Sequence, residues 1–182
     1  MISLAEFVAD FAKGIELADK RGPIAVNARN KSAFQSGLGP HSENETIKLV
    51  LSELSAFNGE EYQSYALGVP YPQMSRKKCD LCLGHAPNWT WTIEVKMLRL
   101  YGDNGKLNDN MLMHILSPYP EHRSALTDCQ KLLDSGLQGR KAIVMYAYES
   151  TQFPTTPALH AFELLANDCV QLSPRVTASF LG

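Results

Sequence analysis

Two neighbouring segments, Lys78–Leu83 (KCDLCL) and Trp89–Met97 (WTWTIEVKM), decide the fold of this chain. In both segments apolar and polar side chains alternate, as they do in a β-strand with one apolar face. An antiparallel hairpin of these two strands places Asp80, Glu94 and Lys96 together at the edge of an apolar sheet. Two carboxylates and one ammonium in that position predict a metal site with a charged helper.

The composition is that of an ordinary folded domain. The chain has 182 residues, of which 45% are hydrophobic and 20% charged, so residues 1–182 are predicted to form a single domain with a sizeable core. A net charge of -2 gives no general attraction to nucleic acid. Residues 76–141, however, hold ten of the seventeen Lys and Arg and only seven of the nineteen acids, which predicts a modest basic surface around the hairpin.

Membrane and secretory signals are not expected in this sequence. No apolar run reaches the roughly 18 residues that a transmembrane helix needs, so no membrane association is predicted. The first 21 residues carry four acidic side chains, unlike a signal peptide, and a cytoplasmic protein is therefore expected. Four cysteines are too few for a disulfide framework in a chain of this size.

Hydrophobic periodicity and turn residues predict alternating helices and strands. Helices are predicted at 2–20, 42–56, 107–116, 121–135 and 157–168, and strands at 62–68, in the hairpin of 78–98, and at 141–148. Residues 22–40 are rich in Gly, Asn, Ser and Pro and are predicted to be a connecting loop. Ser42 with Glu45 three residues later is typical of a helix capping box. This order of elements predicts an α/β protein with a mixed sheet.

The order of elements and the charged residues resemble the PD-(D/E)XK nuclease superfamily, which has the restriction-endonuclease-like fold. The family core is α-β-β-β-α-β, a mixed central sheet flanked by helices, and residues 42–148 align with it in order. Asp80 matches the family's Asp at the start of a hairpin, and Glu94-Val95-Lys96 matches its (Asp/Glu)-x-Lys motif. Many members add a Glu from the preceding helix, where Glu45 fits. The chain departs from the pattern in having Cys79, and not Pro, before Asp80.

The resemblance implies metal-dependent hydrolysis of phosphodiester bonds, in DNA more than in RNA. Asp80 and Glu94 are the implied Mg²⁺ ligands, with the carbonyl of Val95, and Mn²⁺ is a possible substitute. Lys96 would orient the attacking water or stabilise the developing charge. Glu45 would be an outer ligand or complete a second metal site. The resemblance also implies a homodimer, because cutting both strands usually takes two active sites. Residues 1–40 then form an N-terminal helix and loop, and residues 149–182 a C-terminal helix and tail.

Two basic segments are candidate substrate contacts. His122 and Arg123 are predicted at the start of a helix, where cationic side chains and free N–H groups favour phosphate binding. Arg76 and Lys78, together with Lys77, lead into the strand that carries Asp80 and are positioned to follow a nucleic-acid backbone.

Three other functions remain open on the sequence alone. The first is a non-catalytic nucleic-acid-binding module of nuclease-like fold, which would bind without metal. The second is a hydrolase of smaller phosphate esters, and the third a purely structural role with Glu94 and Lys96 as an exposed ion pair.

Several motifs have simpler structural explanations. Cys79 and Cys82 are not accompanied by a second ligand pair for zinc, and in a strand they are expected to point to opposite faces, with Cys79 in the core. Trp89 and Trp91 are expected to pack in the core rather than stack on bases. Glu45 is equally well explained as a helix cap.

Overall fold

The computed structural model describes residues 2–57, 60, 62–98, 111–148, 154–168 and 170–180. The chain divides into two compact units. The first unit includes the described residues up to 63 and residues 175–180, and the second includes the described residues from 64 to 174. In the described part of the chain, no helix is both long enough and apolar enough to cross a membrane.

The first unit contains two helices and two short strands: α1 (Leu4–Lys20), β1 (Ile24–Val26), β2 (Ala33–Ser36) and α2 (Glu43–Phe57). A capping box starts α1, in which the Ser3 hydroxyl accepts from the Glu6 N–H and the Glu6 carboxylate accepts from the Ser3 N–H. Both helices lie close to their predicted bounds.

Helices α1 and α2 pack closely because Gly14 has no side chain. A Cβ atom at Gly14 would lie 2.8 Å from Val50 Cγ1 and 3.2 Å from Leu54 Cδ2, closer than packed atoms approach. Tyr62 is fully buried and donates a hydrogen bond of 2.8 Å to Asp10 on α1. The periodic apolar residues of the two helices therefore form the core of the first unit, as their spacing predicts.

The predicted loop at 22–40 is wrong in part, because it contains an antiparallel pair of strands. Strands β1 and β2 form a two-stranded sheet of their own, with Ile24 opposite Ser36 and Val26 opposite Ala33. Strands of three and four residues among Gly, Asn and Ser are too short to show an alternating pattern in the sequence. Hydrogen bonds in the turn between the two strands stabilise the pair instead.

The second unit is built on a four-stranded sheet in the order β3-β4-β5-β6. Its elements are β3 (Tyr65–Pro70), β4 (Lys78–Gly84), β5 (Trp89–Leu98), α3 (Met111–Leu116), a 3₁₀ turn (Pro120–His122), α4 (Ala125–Leu133), β6 (Arg140–Ala147) and α5 (Thr156–Asn167). Strands β3, β4 and β5 pair antiparallel, and β6 pairs parallel to β5. This arrangement confirms the predicted α/β class with a mixed sheet.

Strand β5 lies inside the sheet, between β4 and β6. The prediction that the charged hairpin occupies the edge of the sheet is therefore wrong. Helix α4 packs against β5 and β6, and every residue from Trp91 to Val95 is buried, whichever face of the sheet it occupies. The long-range pairing with β6 cannot be read from the local alternation in β5, which is why the sequence suggested an exposed polar face.

Helix α4 begins later than predicted, at Ala125 and not at Glu121. The preceding residues form the 3₁₀ turn, and Arg123 adopts a left-handed backbone conformation with a φ of 49° that interrupts the helix. Ser124 then caps α4 by accepting from the Thr127 N–H. The first part of the helix predicted at 107–116 lies outside the described residues, and its remainder is α3.

Candidate metal centre

Asp80 and Glu94 lie next to each other on neighbouring strands. The backbone pairing of β4 with β5 reaches Leu81 opposite Ile93, and Asp80 and Glu94 are one residue further along their strands. Here a side chain replaces the backbone as acceptor, because Asp80 Oδ2 accepts a hydrogen bond of 2.9 Å from the Val95 N–H. The carboxyl group of Asp80 lies close enough to Glu94 to raise the pKa of Glu94. The hairpin thus brings together the two residues that the sequence predicts as metal ligands.

Glu94 is almost completely withdrawn from water, with 2% of its surface exposed. Burial, and then the charge of the adjacent Asp80, raise the pKa of Glu94 to about 9. Below that pH Glu94 keeps its proton. The Tyr71 hydroxyl donates a hydrogen bond to Glu94 Oε1. Burial and the neighbouring Glu94 raise the pKa of Tyr71 in turn, so this hydroxyl stays a donor.

Helix α4 presents Asp128 and Lys131 to this pair from one face, because residues three apart lie on the same side of a helix. Asp128 is held between two ammonium groups. Lys96 Nζ lies 2.8 Å from Asp128 Oδ2, and Lys131 contacts the other oxygen of the same carboxylate. The predicted helper Lys96 is therefore fixed by a residue on a different element.

Lys131 also connects the ion pair to the buried carboxyl group, since its Nζ lies 3.5 Å from Glu94 Oε1. Burial alone would lower the pKa of Lys131, but Glu94 and Asp128 together outweigh it and raise that pKa. The cluster contains three carboxyl groups, from Asp80, Glu94 and Asp128, and two ammonium groups, from Lys96 and Lys131. With every group ionised it carries one surplus negative charge, which the proton on Glu94 neutralises.

Cys79 and Cys82 are fully buried beside this cluster. The neighbouring thiol of Cys79, together with burial, raises the pKa of Cys82. The expectation that their side chains point to opposite faces is wrong, because Cys79 Sγ turns toward β5 and donates to the Ile93 carbonyl at 3.3 Å. Both cysteines pack in one apolar cluster with Tyr71 and Leu132, so the predicted core position of Cys79 is confirmed.

Trp89 and Trp91 lie with the apolar residues, as predicted. Trp91 is 6% exposed and carries the Arg140 guanidinium 4.1 Å above its ring centroid. Trp89 is partly buried against the cluster of Cys79 and Cys82. Core packing therefore accounts for both indole rings.

Sequence reasoning missed three members of the cluster: Tyr71, Asp128 and Lys131. A signal for Asp128 is present, because it falls on the apolar face of α4 defined by Ala125 and Leu132. A carboxylate on a buried helical face requires a partner of opposite charge. No comparable pattern marks Tyr71, which follows β3 and meets Glu94 only through the tertiary fold.

Glu45 forms a capping box at the start of α2. Its carboxylate accepts from the Ser42 N–H at 3.0 Å and from the Ser42 hydroxyl at 2.8 Å. These hydrogen bonds lower the pKa of Glu45, and the one from the Ser42 N–H has the larger effect. The capping explanation is confirmed, while the role of Glu45 as a metal ligand stays a prediction.

The four candidate substrate contacts lie in exposed turns or beside them. Arg76 is in the exposed connection between β3 and β4 and has a left-handed backbone with a φ of 64°, and Lys78 begins β4. Arg123 is exposed just before α4. His122 is half-buried, and its Nδ1 lies 2.6 Å from the Ser117 hydroxyl. Arg76, Lys78 and Arg123 are thus accessible to a polyanion.

The donor set of Asp80 and Glu94 fits a hard divalent cation. Carboxylate oxygens are the ligands that Mg²⁺ prefers, and it commonly uses only one or two of them together with water. A buried carboxyl group with a second carboxyl group beside it concentrates negative charge, which a cation would neutralise. In the described residues, no group of three or more His, Cys, Asp and Glu side chains is placed to hold a metal ion.

Comparison with known proteins gives no further guide to this site. No protein-family model, no curated protein and no solved structure matches the chain.

Proposed function

We propose that the protein is a Mg²⁺-dependent nuclease that hydrolyses phosphodiester bonds in DNA, with a restriction-endonuclease-like core. The main support is the geometry of the site, in which Asp80 and Glu94 lie side by side on neighbouring strands and Lys96 is two residues from Glu94 on β5. The order α2-β3-β4-β5-α4-β6, with β6 parallel to β5, agrees with the α-β-β-β-α-β order of that fold. Fold alone does not imply activity, so the proposal depends on the charged cluster.

Asp80 and Glu94 would hold the cation, with the carbonyl oxygen of Val95 as a further metal ligand. When bound, Mg²⁺ neutralises the charge of the diester and lowers the pKa of a water molecule. The Tyr71 hydroxyl keeps the Glu94 carboxylate oriented through its hydrogen bond to Oε1. Because Glu94 is buried, bulk water competes little for its carboxylate oxygens. Oxygen ligands that are already dehydrated and oriented need little reorganisation when the cation binds.

Lys96 would act on the water or on the developing negative charge. Its ammonium group lies against Asp128, so it is held at a defined position on the same strand as Glu94. Lys131 contacts the second oxygen of Asp128, so the negative charge of this carboxylate is shared between two ammonium groups. Lys96 is therefore not neutralised by Asp128 alone. A preoriented ammonium stabilises a phosphorane-like charge without reorganising at the moment of reaction.

The first experiment is cleavage of plasmid, linear and single-stranded DNA in Mg²⁺, Mn²⁺ or EDTA. Wild type is compared with Lys96→Ala and Glu94→Gln, and Lys13→Ala serves as a control because Lys13 is exposed on α1. We expect metal-dependent cutting by wild type and the control, and none by the two site variants.

The same experiment separates the alternatives. DNA binding in EDTA without cutting of any substrate would replace the proposal with a non-catalytic binding module. Turnover of model phosphodiesters without cutting of DNA would instead indicate a hydrolase of smaller phosphate esters. Cutting that survives Glu94→Gln would refute the assignment of Glu94.

A further inference from the structure

Strands β1 and β2 form a two-stranded ribbon that is separate from the four-stranded sheet. Most of its residues are exposed, including two large apolar side chains on β1, Ile24 at 59% and Val26 at 57%. The connecting turn from Ala28 to Ser32 is exposed throughout. Among the described residues the ribbon pairs with no further strand, and its exposed side chains and its tip are accessible to a partner.

The ribbon region has a charge of one sign. Residues 20–42 contain four of the chain's seventeen Lys and Arg and none of its nineteen Asp and Glu. Two of these cations are used at the base, where Lys20 pairs with Glu16 and Arg21 with Glu53. The other two, Arg29 and Lys31, lie exposed at the tip, and neither has an ion pair within the described residues. The tip therefore presents two exposed positive charges.

Hydrogen bonds hold the tip in one conformation. Asn27 Oδ1 accepts from the Arg29 N–H at 2.9 Å, and the Asn27 carbonyl accepts from the Lys31 N–H at 2.9 Å. Asn30 Oδ1 accepts from both the N–H and the hydroxyl of Ser32. Lys31 adopts a left-handed backbone with a φ of 60°. The backbone that carries the two cations is thus ordered before any partner arrives, which reduces the entropy lost on binding.

The base of the ribbon is attached to the end of α1. Asp19 Oδ1 accepts a hydrogen bond of 2.7 Å from the Leu38 N–H, and the Leu38 side chain is fully buried. Gly37 passes so close to Asp19 that a Cβ atom there would lie 2.9 Å from the same oxygen. The ribbon is therefore a fixed part of the first unit.

We infer that this ribbon is a binding surface for double-stranded DNA, with Arg29 and Lys31 contacting phosphates. The inference rests on the proposed function for the choice of nucleic acid as partner. A two-stranded ribbon has the width that the major groove of DNA admits. Cationic side chains on phosphates position a protein on the duplex and account for much of its affinity. The apolar Ile24 and Val26 would then face the groove or the sugar edge.

The charge at the tip favours DNA over a second copy of this chain. The chain as a whole has a net charge of only -2, and a self-association surface would bring the cations of two ribbons together. A polyanion removes that repulsion, and it releases condensed counterions when the two cations bind.

The test is duplex binding in EDTA, where no cleavage occurs, over a range of NaCl concentrations. A double variant, Arg29→Gln with Lys31→Gln, is compared with wild type and with Lys13→Gln plus Lys20→Gln. The control removes the same charge from lysines that already pair with Glu16. We expect the salt dependence of the affinity to become shallower by about 1.8 in the first variant, since each phosphate contact contributes about 0.9. The control should keep the wild-type slope.

An unchanged slope and affinity in the Arg29 and Lys31 variant would overturn the inference, as would failure of wild type to bind any duplex. A shift from dimer to monomer in Ile24→Ser with Val26→Ser, with duplex binding intact, would assign the ribbon to self-association instead. Thermal unfolding checks that the exposed substitutions leave the fold unchanged, and the single variant Arg29→Gln should give half the effect.

Wild-type turnover of bis(p-nitrophenyl) phosphate in Mn²⁺ tests the proposed function separately. This small diester has no second phosphate for a distant surface to contact. Turnover without a ribbon effect would leave the nuclease proposal standing, and a ribbon effect without turnover would leave the DNA-binding surface standing.

Discussion

The Lys96 ammonium lies 2.8 Å from Asp128 Oδ2, and both side chains are largely withdrawn from water, with exposed fractions of 11% and 1%. Lys131 contacts the second oxygen of Asp128, so one carboxylate holds two cations. Removing one partner of such a pair is unfavourable, because the other charge stays buried with neither hydration nor a counter-charge. Asp128 is therefore expected to act as a positioning residue for Lys96.

Asp128→Asn should reduce turnover more than it changes the KM for DNA, because the variant leaves Lys96 without its fixed partner. Breaking a buried ion pair from one side costs ~3 kcal/mol or more, so the free energy of unfolding should also fall. Asp134→Asn is the matched control, since Asp134 is exposed at the end of the same helix. The comparison uses steady-state cleavage and urea unfolding.

Asp128→Glu should keep more of the turnover than Asp128→Asn, because it retains the negative charge. If Asp128→Asn loses stability but keeps the wild-type turnover and KM, Asp128 is only a structural residue and the positioning role is wrong.

The stability of the metal-free protein should decrease as the pH rises from about 5 to about 9. The folded state holds a proton on Glu94 up to a pKa of about 9, whereas the unfolded chain releases it near its ordinary value of 4.5. The folded state thus binds more protons across this window, and the free energy of unfolding should fall by up to ~1.4 kcal/mol per pH unit. Denaturant unfolding in EDTA at several pH values measures this slope.

Glu94→Gln should remove this slope, because an amide does not titrate there. The exposed Glu121→Gln on the 3₁₀ turn is the control and should keep the wild-type slope. Equal slopes for wild type and Glu94→Gln would show that Glu94 is not the protonated group.

Tyr71→Phe should raise the Mg²⁺ concentration that gives half-maximal cleavage. The variant removes the hydroxyl that donates to Glu94 Oε1, and a hydrogen bond to a charged group contributes ~1.5–3 kcal/mol. A loss of that size corresponds to a rise of about tenfold or more in the metal requirement. Turnover at saturating Mg²⁺ should change much less, which separates a metal-binding effect from a chemical one.

Tyr119→Phe is the control for this experiment, because Tyr119 is 60% exposed. A metal requirement for Tyr71→Phe that equals that of Tyr119→Phe would contradict the role assigned to the hydroxyl.

Arg123→Glu should weaken DNA binding and make its salt dependence shallower by about 0.9 or more, since a phosphate contact is replaced by repulsion. Arg123 is exposed immediately before α4, where the free N–H groups of the helix also favour an anion. Lys13→Glu reverses a charge of the same sign on α1 and serves as the control. Wild-type affinity and slope in Arg123→Glu would exclude this residue as a substrate contact.

The central hairpin could be predicted from local pattern. Alternation with a period of two identifies β4 and β5, and antiparallel pairing then brings Asp80 next to Glu94. The capping box of Ser42 and Glu45 is likewise local, because its groups are three residues apart. These features depend on residues that are close in the sequence or face each other across one turn. Their contacts can therefore be predicted from the sequence pattern.

The rest of the candidate site depends on residues that are distant in the sequence. Tyr71, Asp128 and Lys131 meet Glu94 and Lys96 only because α4 packs on β5 and the connection after β3 closes over the same strand. Pairing with β6 also places β5 inside the sheet, where the sequence pattern had suggested an edge. The ribbon of β1 and β2 was similarly hidden, since its strands are too short for an alternating pattern.

The amino-acid sequence by itself determined the order of the longer helices and strands and the adjacency of Asp80 and Glu94, because both follow from short-range periodicity. Only the tertiary structure decided the electrostatic character of the site. Packing removes Glu94 from water, and this burial, together with the charge of Asp80, raises the pKa of Glu94 to about 9. Packing also supplies the buried Asp128 that holds Lys96. Solvent exclusion is a property of the assembled layers, which no local segment possesses on its own.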